Sequence, residues 1–153
     1  MKNKKLLYFF GILVVAGLLA YSLISITSKQ PSNPNTAATS TQTFVIPTPK
    51  GSVTVRDITR NPVQQVTDNT VIERNDSYSI VYYPNEKSFA ITLLAAPLQK
   101  SREAAESKFL GDLGIDMAQA CELKVSTFVP LEVDESFAGQ DYGLSFCPSG
   151  RQF

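Results

Sequence analysis

The sequence has no histidine and no tryptophan, and only two of its 153 residues are cysteines. Without histidine, the chain has no imidazole for general acid–base catalysis, and it lacks the Ser/His and Cys/His pairs of many hydrolases. Zinc sites built on histidine are excluded as well. The sequence contains no phosphate-binding loop, no dinucleotide fingerprint and no metal-ligand spacing. These absences predict a protein that is not an enzyme and that binds no cofactor or metal.

Acidic residues are missing from the start of the chain, where none precedes Asp57. From Asp57 onward there are 14 Asp and Glu against 8 Lys and Arg, a balance of −6. Non-specific affinity for nucleic acids comes mostly from clustered Lys and Arg on phosphates. The charge balance therefore argues against a nucleic-acid partner.

A long apolar segment lies over residues 6–26 and contains no charged residue. As a helix it spans about 31 Å, which matches the hydrocarbon core of a bilayer. Three lysines precede it within residues 1–5, so the positive-inside rule places the N-terminus in the cytoplasm and everything after the segment outside. We predict a single-pass anchor in the cell membrane.

A cleaved secretory signal is the alternative interpretation, with residues 20–22 as a small-x-small site and cleavage after about Ser22. Apolar residues continue beyond that site at Leu23, Ile24 and Ile26, which favours an uncleaved anchor. With cleavage the domain would be secreted, so both interpretations place it outside the cytoplasm.

Residues 27–51 are rich in Ser, Thr, Asn and Pro, a composition typical of a solvated linker. We place one folded domain at residues 52–148 and a short tail at 149–153. Alternation of apolar and polar residues predicts a first strand around Val53 and Val55.

The domain has the pattern of an α+β fold with a small antiparallel sheet. Two β-rich runs, at 78–83 and 88–94, flank a Pro-Asn-Glu-Lys turn and predict a hairpin with one core face. Two further strands are predicted near the C-terminus, at 123–129 and 143–147.

Two helices are predicted between the hairpin and the last strands. Ser101 is placed to cap the first helix, with Glu106 in an early turn, and Gly114 is placed to end it. Asp116 and Gln119 have the spacing of a capping box for a short second helix. The apolar stripe of the first helix consists of Ala105, Phe109, Leu110 and Leu113.

Cys121 and Cys147 open and close the two predicted C-terminal strands, so they face each other if those strands pair antiparallel. In an exported chain this placement predicts a structural disulfide. Closing a loop of about 26 residues contributes about 3 kcal/mol in the chain-entropy model. A redox pair is the alternative, but such pairs usually have C-x-x-C spacing.

Three other motifs have weaker interpretations. Ser145 is not in a G-x-S-x-G elbow and is interpreted as a strand serine. An N-x-S sequon at Asn75, with Glu73 two positions upstream as in bacterial N-glycosylation, is short enough to arise by chance. A group of acidic residues lacks the ligand ladder of a calcium loop and is interpreted as a solvated loop, with a weak calcium site or a contact patch as alternatives. That group is Glu132, Asp134, Glu135 and Asp141.

Tyr78, Tyr82 and Tyr83 allow two interpretations. They either belong to the core of the predicted hairpin or form an exposed aromatic interaction face, since tyrosine is favoured at interfaces. The sequence leaves both open.

Three stretches, residues 78–93, 102–125 and 138–148, lie within residues 78–148, a span that covers about half of the chain. The most distinctive residues in these stretches are Ala105-Glu106, Leu113-Gly114-Ile115, Cys121 and the closing Leu-Ser-Phe-Cys-Pro of residues 144–148. With these marks the chain resembles a group of uncharacterised small bacterial single-pass membrane-anchored proteins. The resemblance implies a location in the bacterial cell envelope and carries over no functional residue.

Two function hypotheses follow from the anchor, the linker and the absence of catalytic residue sets. The first is a non-enzymatic protein-protein interaction module of the cell envelope, with an envelope protein of unknown identity as partner. The alternative is a module that binds a small ligand or a cell-wall glycan, with the Tyr-rich hairpin as its platform. A deep apolar pocket would favour the second hypothesis, and an exposed apolar patch would favour the first.

Overall fold

The computed structural model of the protein describes residues 42–153. The predicted cytoplasmic start at 1–5, the membrane segment at 6–26 and most of the predicted linker lie outside the described residues. Within 42–153, no helix is long and apolar enough to cross a membrane. This part of the chain has an α+β fold with antiparallel strands and one disulfide, which confirms the predicted fold class.

The described chain folds into a two-stranded hairpin, a five-stranded sheet and two helices. The strands are β1 (Thr43–Thr48), β2 (Gly51–Arg56), β3 (Gln64–Val66), β4 (Asn69–Arg74), β5 (Tyr78–Tyr83), β6 (Ser88–Leu93) and β7 (Lys124–Phe128). The helices are α1 (Leu98–Leu113) and α2 (Met117–Ala120). Strands β1 and β2 pair with each other, and β3 to β7 form the larger sheet in chain order.

The central β5–β6 hairpin confirms the clearest prediction from the sequence. The two strands pair antiparallel from Tyr83 opposite Ser88 to Tyr78 opposite Leu93. Along each strand one set of side chains is buried, because successive residues of a strand point to opposite faces. The buried set consists of Tyr78, Ile80, Tyr82, Phe89, Ile91 and Leu93.

The helix α1 begins earlier than predicted. Its N-cap is Pro97, so Ser101 lies inside the helix and its hydroxyl donates to the carbonyl of Ala95 at 2.7 Å. Glu106 is consequently a residue of the middle of the helix. The predicted C-terminus is confirmed, since Gly114 has the left-handed conformation (φ 67°) that glycine adopts readily.

The capping box of α2 is also confirmed. The side chain of Asp116 accepts from the backbone N–H of Gln119 at 2.8 Å, and the side chain of Gln119 accepts from the N–H of Asp116 at 3.1 Å. The capping box therefore pairs two N–H groups of the helix start that have no partner within the helix.

Strand β7 differs from the prediction in its direction. It pairs parallel with β6, from Ser88 beside Lys124 to Thr92 beside Phe128. The reason is that α1 and α2 together form the long crossover that a parallel pair requires. The prediction of a final strand at 143–147 is wrong, because these residues form turns and irregular chain.

Strand β1 lies inside the segment that the sequence indicates as linker. Its Pro47 pairs with Ser52, and a strand with one free edge tolerates proline because its own N–H is not needed there. The side chains of Ile46, Val53 and Val55 are buried, and the ring of Phe44 lies 5.8 Å from that of Tyr82. The β1–β2 hairpin therefore contributes to the core.

The predicted disulfide is confirmed, with the Cα atoms of Cys121 and Cys147 5.5 Å apart. Among the described residues no cysteine is free. The surroundings of the bridge differ from the prediction, because Cys121 follows α2 directly and Cys147 lies in a turn near the C-terminus. The bridge thus joins the helical crossover to the last residues of the chain.

Candidate interaction surface

One face of the five-stranded sheet is covered. The ring of Phe89 packs edge-on against Phe109 of α1 at 5.1 Å, and Tyr82 contacts Phe89 at 4.8 Å. The β1–β2 hairpin meets the same face through Phe44. This covered face is the apolar core of the domain.

The opposite face is not covered by any helix or strand of residues 42–153. We call it the open face. In the paired strands its side chains form three rows across the sheet, because residues paired in register point to the same side. Its members are Gln64, Val71, Arg74, Ser79, Val81, Tyr83, Ser88, Ala90, Thr92, Lys124, Ser126 and Phe128.

The open face has small, half-buried side chains at its centre and larger ones at its corners. Val81, Ala90 and Ser126 are half-buried and form the central row, which continues on β4 with the buried Val71. Tyr83 is half-buried and Phe128 is 40% exposed. With strands about 4.8 Å apart and about 3.3 Å per residue, the face measures about 14 Å across β4 to β7 and about 13 Å along β7.

The charge of the open face is opposite to that of the domain. Arg74 and Lys124 are exposed on it, and neither Asp nor Glu occupies a strand position there. Glu73 points to the helix side, where its Oε2 accepts from Lys108 Nζ at 3.1 Å. Glu86 stands in the turn at the rim and accepts from the Ser88 hydroxyl at 3.3 Å. A local cationic surface therefore sits on a domain with an excess of acidic residues.

The three tyrosines do not form one interaction face. Tyr78 and Tyr82 are buried in the core, and burial raises the pKa of the Tyr82 hydroxyl above its ordinary value of 10.0. Tyr83 lies on the open face, and its position follows from the sequence, since neighbouring residues of a strand point to opposite sides. Only Tyr83 of the three can contribute to a surface.

A buried polar cluster, which the sequence analysis misses, joins α1 to residues 141–153, here called the C-terminal segment. The guanidinium of Arg102 is fully buried and donates from Nε to Glu106 Oε1 at 3.0 Å. It also donates to the carbonyls of Tyr142 and Gly143 at 3.0 Å and of Arg151 at 2.6 Å.

Glu106 completes the cluster from the same helix face. Its Oε1 accepts from the Ser145 backbone N–H at 2.6 Å, and its Oε2 accepts from the Ser145 hydroxyl at 2.5 Å. Both carboxylate oxygens are thus paired, and the Phe153 ring lies 5.1 Å from the Arg102 guanidinium carbon. Because these polar groups pair with one another, the cluster holds the C-terminal segment on α1.

The acidic residues that follow β7 also accept hydrogen bonds from backbone N–H groups. Asp141 Oδ1 accepts from the N–H groups of Thr127 at 3.0 Å and Gly143 at 2.9 Å. Asp134 Oδ1 accepts from Ser136 N–H at 2.9 Å. Within residues 42–153, no group of three or more acidic or cysteine side chains is arranged to hold a metal ion.

Two grooves open to solvent on the helix side of the domain. One, of about 390 Å³, lies between residues 75–78, the start of α1 and Pro97. The other, of about 370 Å³, contains Lys108 between Glu73 and Asp112. The pKa of the Lys108 ammonium is raised above 10.5, mainly by its hydrogen bond to Asp112 and also by its hydrogen bond to Glu73.

Comparisons with protein-family models, with curated proteins and with solved structures found no match.

Proposed function

We propose that the chain is a membrane-anchored extracytoplasmic protein whose α+β domain is a non-enzymatic protein-interaction module of the bacterial cell envelope. The observation that carries the proposal is the open face of the five-stranded sheet. It combines an uncovered sheet surface, two aromatic side chains and two cations.

The location is supported by the disulfide between Cys121 and Cys147. Disulfides persist in oxidising compartments outside the cytoplasm, whereas cytoplasmic thiols are kept reduced. The apolar segment at 6–26 supplies the anchor, and the lysines before it favour an orientation with the N-terminus in the cytoplasm.

The interaction is supported by the composition of the open face. Aromatic residues and arginine are enriched in protein interfaces, where they supply much of the binding energy. Tyr83, Phe128 and Arg74 are of these types, and the small central residues let a partner approach the sheet closely. Arg74 and Lys124 are the charged strand residues of the open face, and both are cations. The partner surface should therefore present carboxylates around an apolar centre.

The glycan-platform hypothesis has less support. It depends on a cluster of exposed tyrosines, but Tyr78 and Tyr82 are core residues. The two described grooves are open to solvent and contain charged side chains, which is unlike the mostly apolar and enclosed pockets of small-ligand sites.

The test is mild cross-linking in intact cells, followed by purification of the full-length protein and mass spectrometry of what is attached. The open-face variant is Phe128→Ser combined with Lys124→Glu. The control variant is Val45→Ser, because Val45 is 58% exposed on β1, away from the open face. An anchor with the linker alone measures the background.

We expect particular envelope proteins to be enriched with the unchanged chain and with Val45→Ser. Enrichment should fall at least about tenfold with the open-face variant, since loss of an interface anchor typically costs about 2 kcal/mol or more. Equal capture by all three chains would contradict the choice of surface. Capture no greater than the background would contradict the interaction itself.

A further inference from the structure

The turn between β4 and β5 carries Asn75-Asp76-Ser77, and no other N-x-S or N-x-T sequence occurs in the chain. The proposed protein interaction makes no use of this turn. Asn75 is exposed, as a glycan acceptor must be, and Ser77 is half-buried.

Hydrogen bonds fix the orientation of the Asn75 side chain. Its Oδ1 accepts from the backbone N–H of Ser77 at 2.9 Å and of Tyr78 at 3.0 Å. Because the amide oxygen points into the turn, Nδ2, the atom that would be glycosylated, points out of it. The turn is closed by the Asn75 N–H, which donates to the Tyr78 carbonyl at 3.0 Å.

The surroundings of Asn75 leave room for a sugar. The groove of about 390 Å³ begins at this residue and is lined on its far side by Ala96, Ala104 and Lys100. Alanines keep the groove open, and the exposed Lys100 ammonium supplies donors to sugar hydroxyls. A first sugar on Nδ2 therefore extends over the helix side of the domain, and the open face stays free.

We infer that Asn75 is the acceptor of an N-linked glycan. The donor is a sugar carried on a lipid pyrophosphate, and the reaction is catalysed by a transferase of the envelope. Nδ2 forms a bond to the anomeric carbon while the bond from that carbon to the pyrophosphate oxygen breaks. The lipid pyrophosphate leaves with the electron pair, and one Nδ2 proton passes to a base of the transferase, so nothing is oxidised or reduced.

The inference goes beyond the proposed protein interaction, but it requires the extracytoplasmic location. The experiment therefore measures the two separately. The full-length protein is isolated from the membranes of the cells that make it, without reduction, and the free thiols are counted. A protein without free thiols has passed through an oxidising compartment, whatever the state of Asn75.

Trypsin then releases the peptide of residues 75–87, between Arg74 and Lys87. The peptide contains its own control, since Asn85 is exposed but is not part of an N-x-S or N-x-T sequon. Fragment masses place any added sugar on one asparagine or the other. Ser77→Ala removes the sequon and leaves Asn75, and Ser77→Thr keeps the sequon.

The expected result is a mass increase equal to a whole number of sugar residues on Asn75. It should be lost in Ser77→Ala and retained in Ser77→Thr. An unmodified peptide from disulfide-bonded protein overturns the inference and leaves the proposed location standing. Reduced cysteines would overturn both.

Discussion

Replacing Arg102 with methionine should be among the most damaging single substitutions in the domain. Methionine keeps an unbranched apolar stem in the helix but removes the guanidinium. That group is fully buried, pairs with Glu106 and donates to three carbonyls of the C-terminal segment. The substitution therefore leaves a carboxylate that is 5% exposed without its cation.

The magnitude follows from that unpaired charge. Breaking a buried ion pair from one side typically costs about 3–5 kcal/mol. The carbonyls of Gly143 and Arg151 add a penalty of about 1–3 kcal/mol each if they stay buried, whereas the Tyr142 carbonyl keeps the Arg151 N–H as a donor. The C-terminal segment can move into water and recover part of this, so we expect the free energy of unfolding to fall by about 3–5 kcal/mol. Typical domains have about 5–15 kcal/mol in total.

The assay is denaturant unfolding of the full-length protein in detergent, followed by tyrosine fluorescence, together with hydrogen exchange. Protection should be lost first at the amides of Tyr142, Ser145 and Arg151. The double variant Arg102→Met with Glu106→Leu should cost clearly less than the sum of the two single variants, since it leaves no buried charge. A loss below about 1 kcal/mol for Arg102→Met, or additive single variants, would refute the reasoning, because those are the results for an exposed pair.

The disulfide and Lys108 give two further predictions. Replacing Cys121 and Cys147 together with serine should lower the free energy of unfolding by about 3 kcal/mol and the melting temperature by about 10 °C; an unchanged melting temperature in a thermal scan would contradict this. Bonds to Asp112 and Glu73 raise the pKa of folded Lys108 above 10.5, so its contribution is present below that pH and is lost as the pH rises through the raised pKa. Lys108→Met should therefore flatten the alkaline limb of a stability-against-pH curve, and a limb that keeps its slope would contradict the assignment.

The parts of the fold that were predictable from the sequence are those with local causes. The β5–β6 hairpin follows from two alternating runs around a four-residue turn, and its register follows from the turn. The end of α1 at Gly114 and the start of α2 at Asp116 follow from residue types that satisfy helix termini. Each signal lies within a few residues of the feature that it determines.

The parts that were not predictable depend on distant segments. Nothing near β7 indicates that it pairs parallel with β6, because that pairing depends on how the helical crossover returns. Residues 143–147 have the composition of a strand, yet their backbone groups bind side chains of α1 in place of a neighbouring strand. Tertiary contacts override local propensity there.

The polar cluster had a signal in the sequence that the apolar pattern conceals. Arg102 and Glu106 are four residues apart and lie on the same stripe as Ala105, Phe109 and Leu113, which are all buried. Two opposite charges on the buried stripe of a helix predict a buried pair, since either charge alone would be too costly there. The sequence does not indicate which backbone carbonyls complete the pair.

The polar cluster also bears on the open face, through β7. Asp141 and Tyr142 occupy the outer edge of that strand, where the Tyr142 N–H donates to the Thr127 carbonyl at 2.9 Å and Asp141 accepts from the Thr127 N–H. Arg102 holds the same stretch of chain from the other side through the carbonyl of Tyr142. Since β7 carries Lys124 and Phe128, loosening the C-terminal segment should weaken partner capture without changing a residue of the open face. Arg102→Met should therefore reduce both cross-linking and the hydrogen-exchange protection of β7. Unchanged capture, or lost capture with fully protected β7 amides, would contradict this coupling.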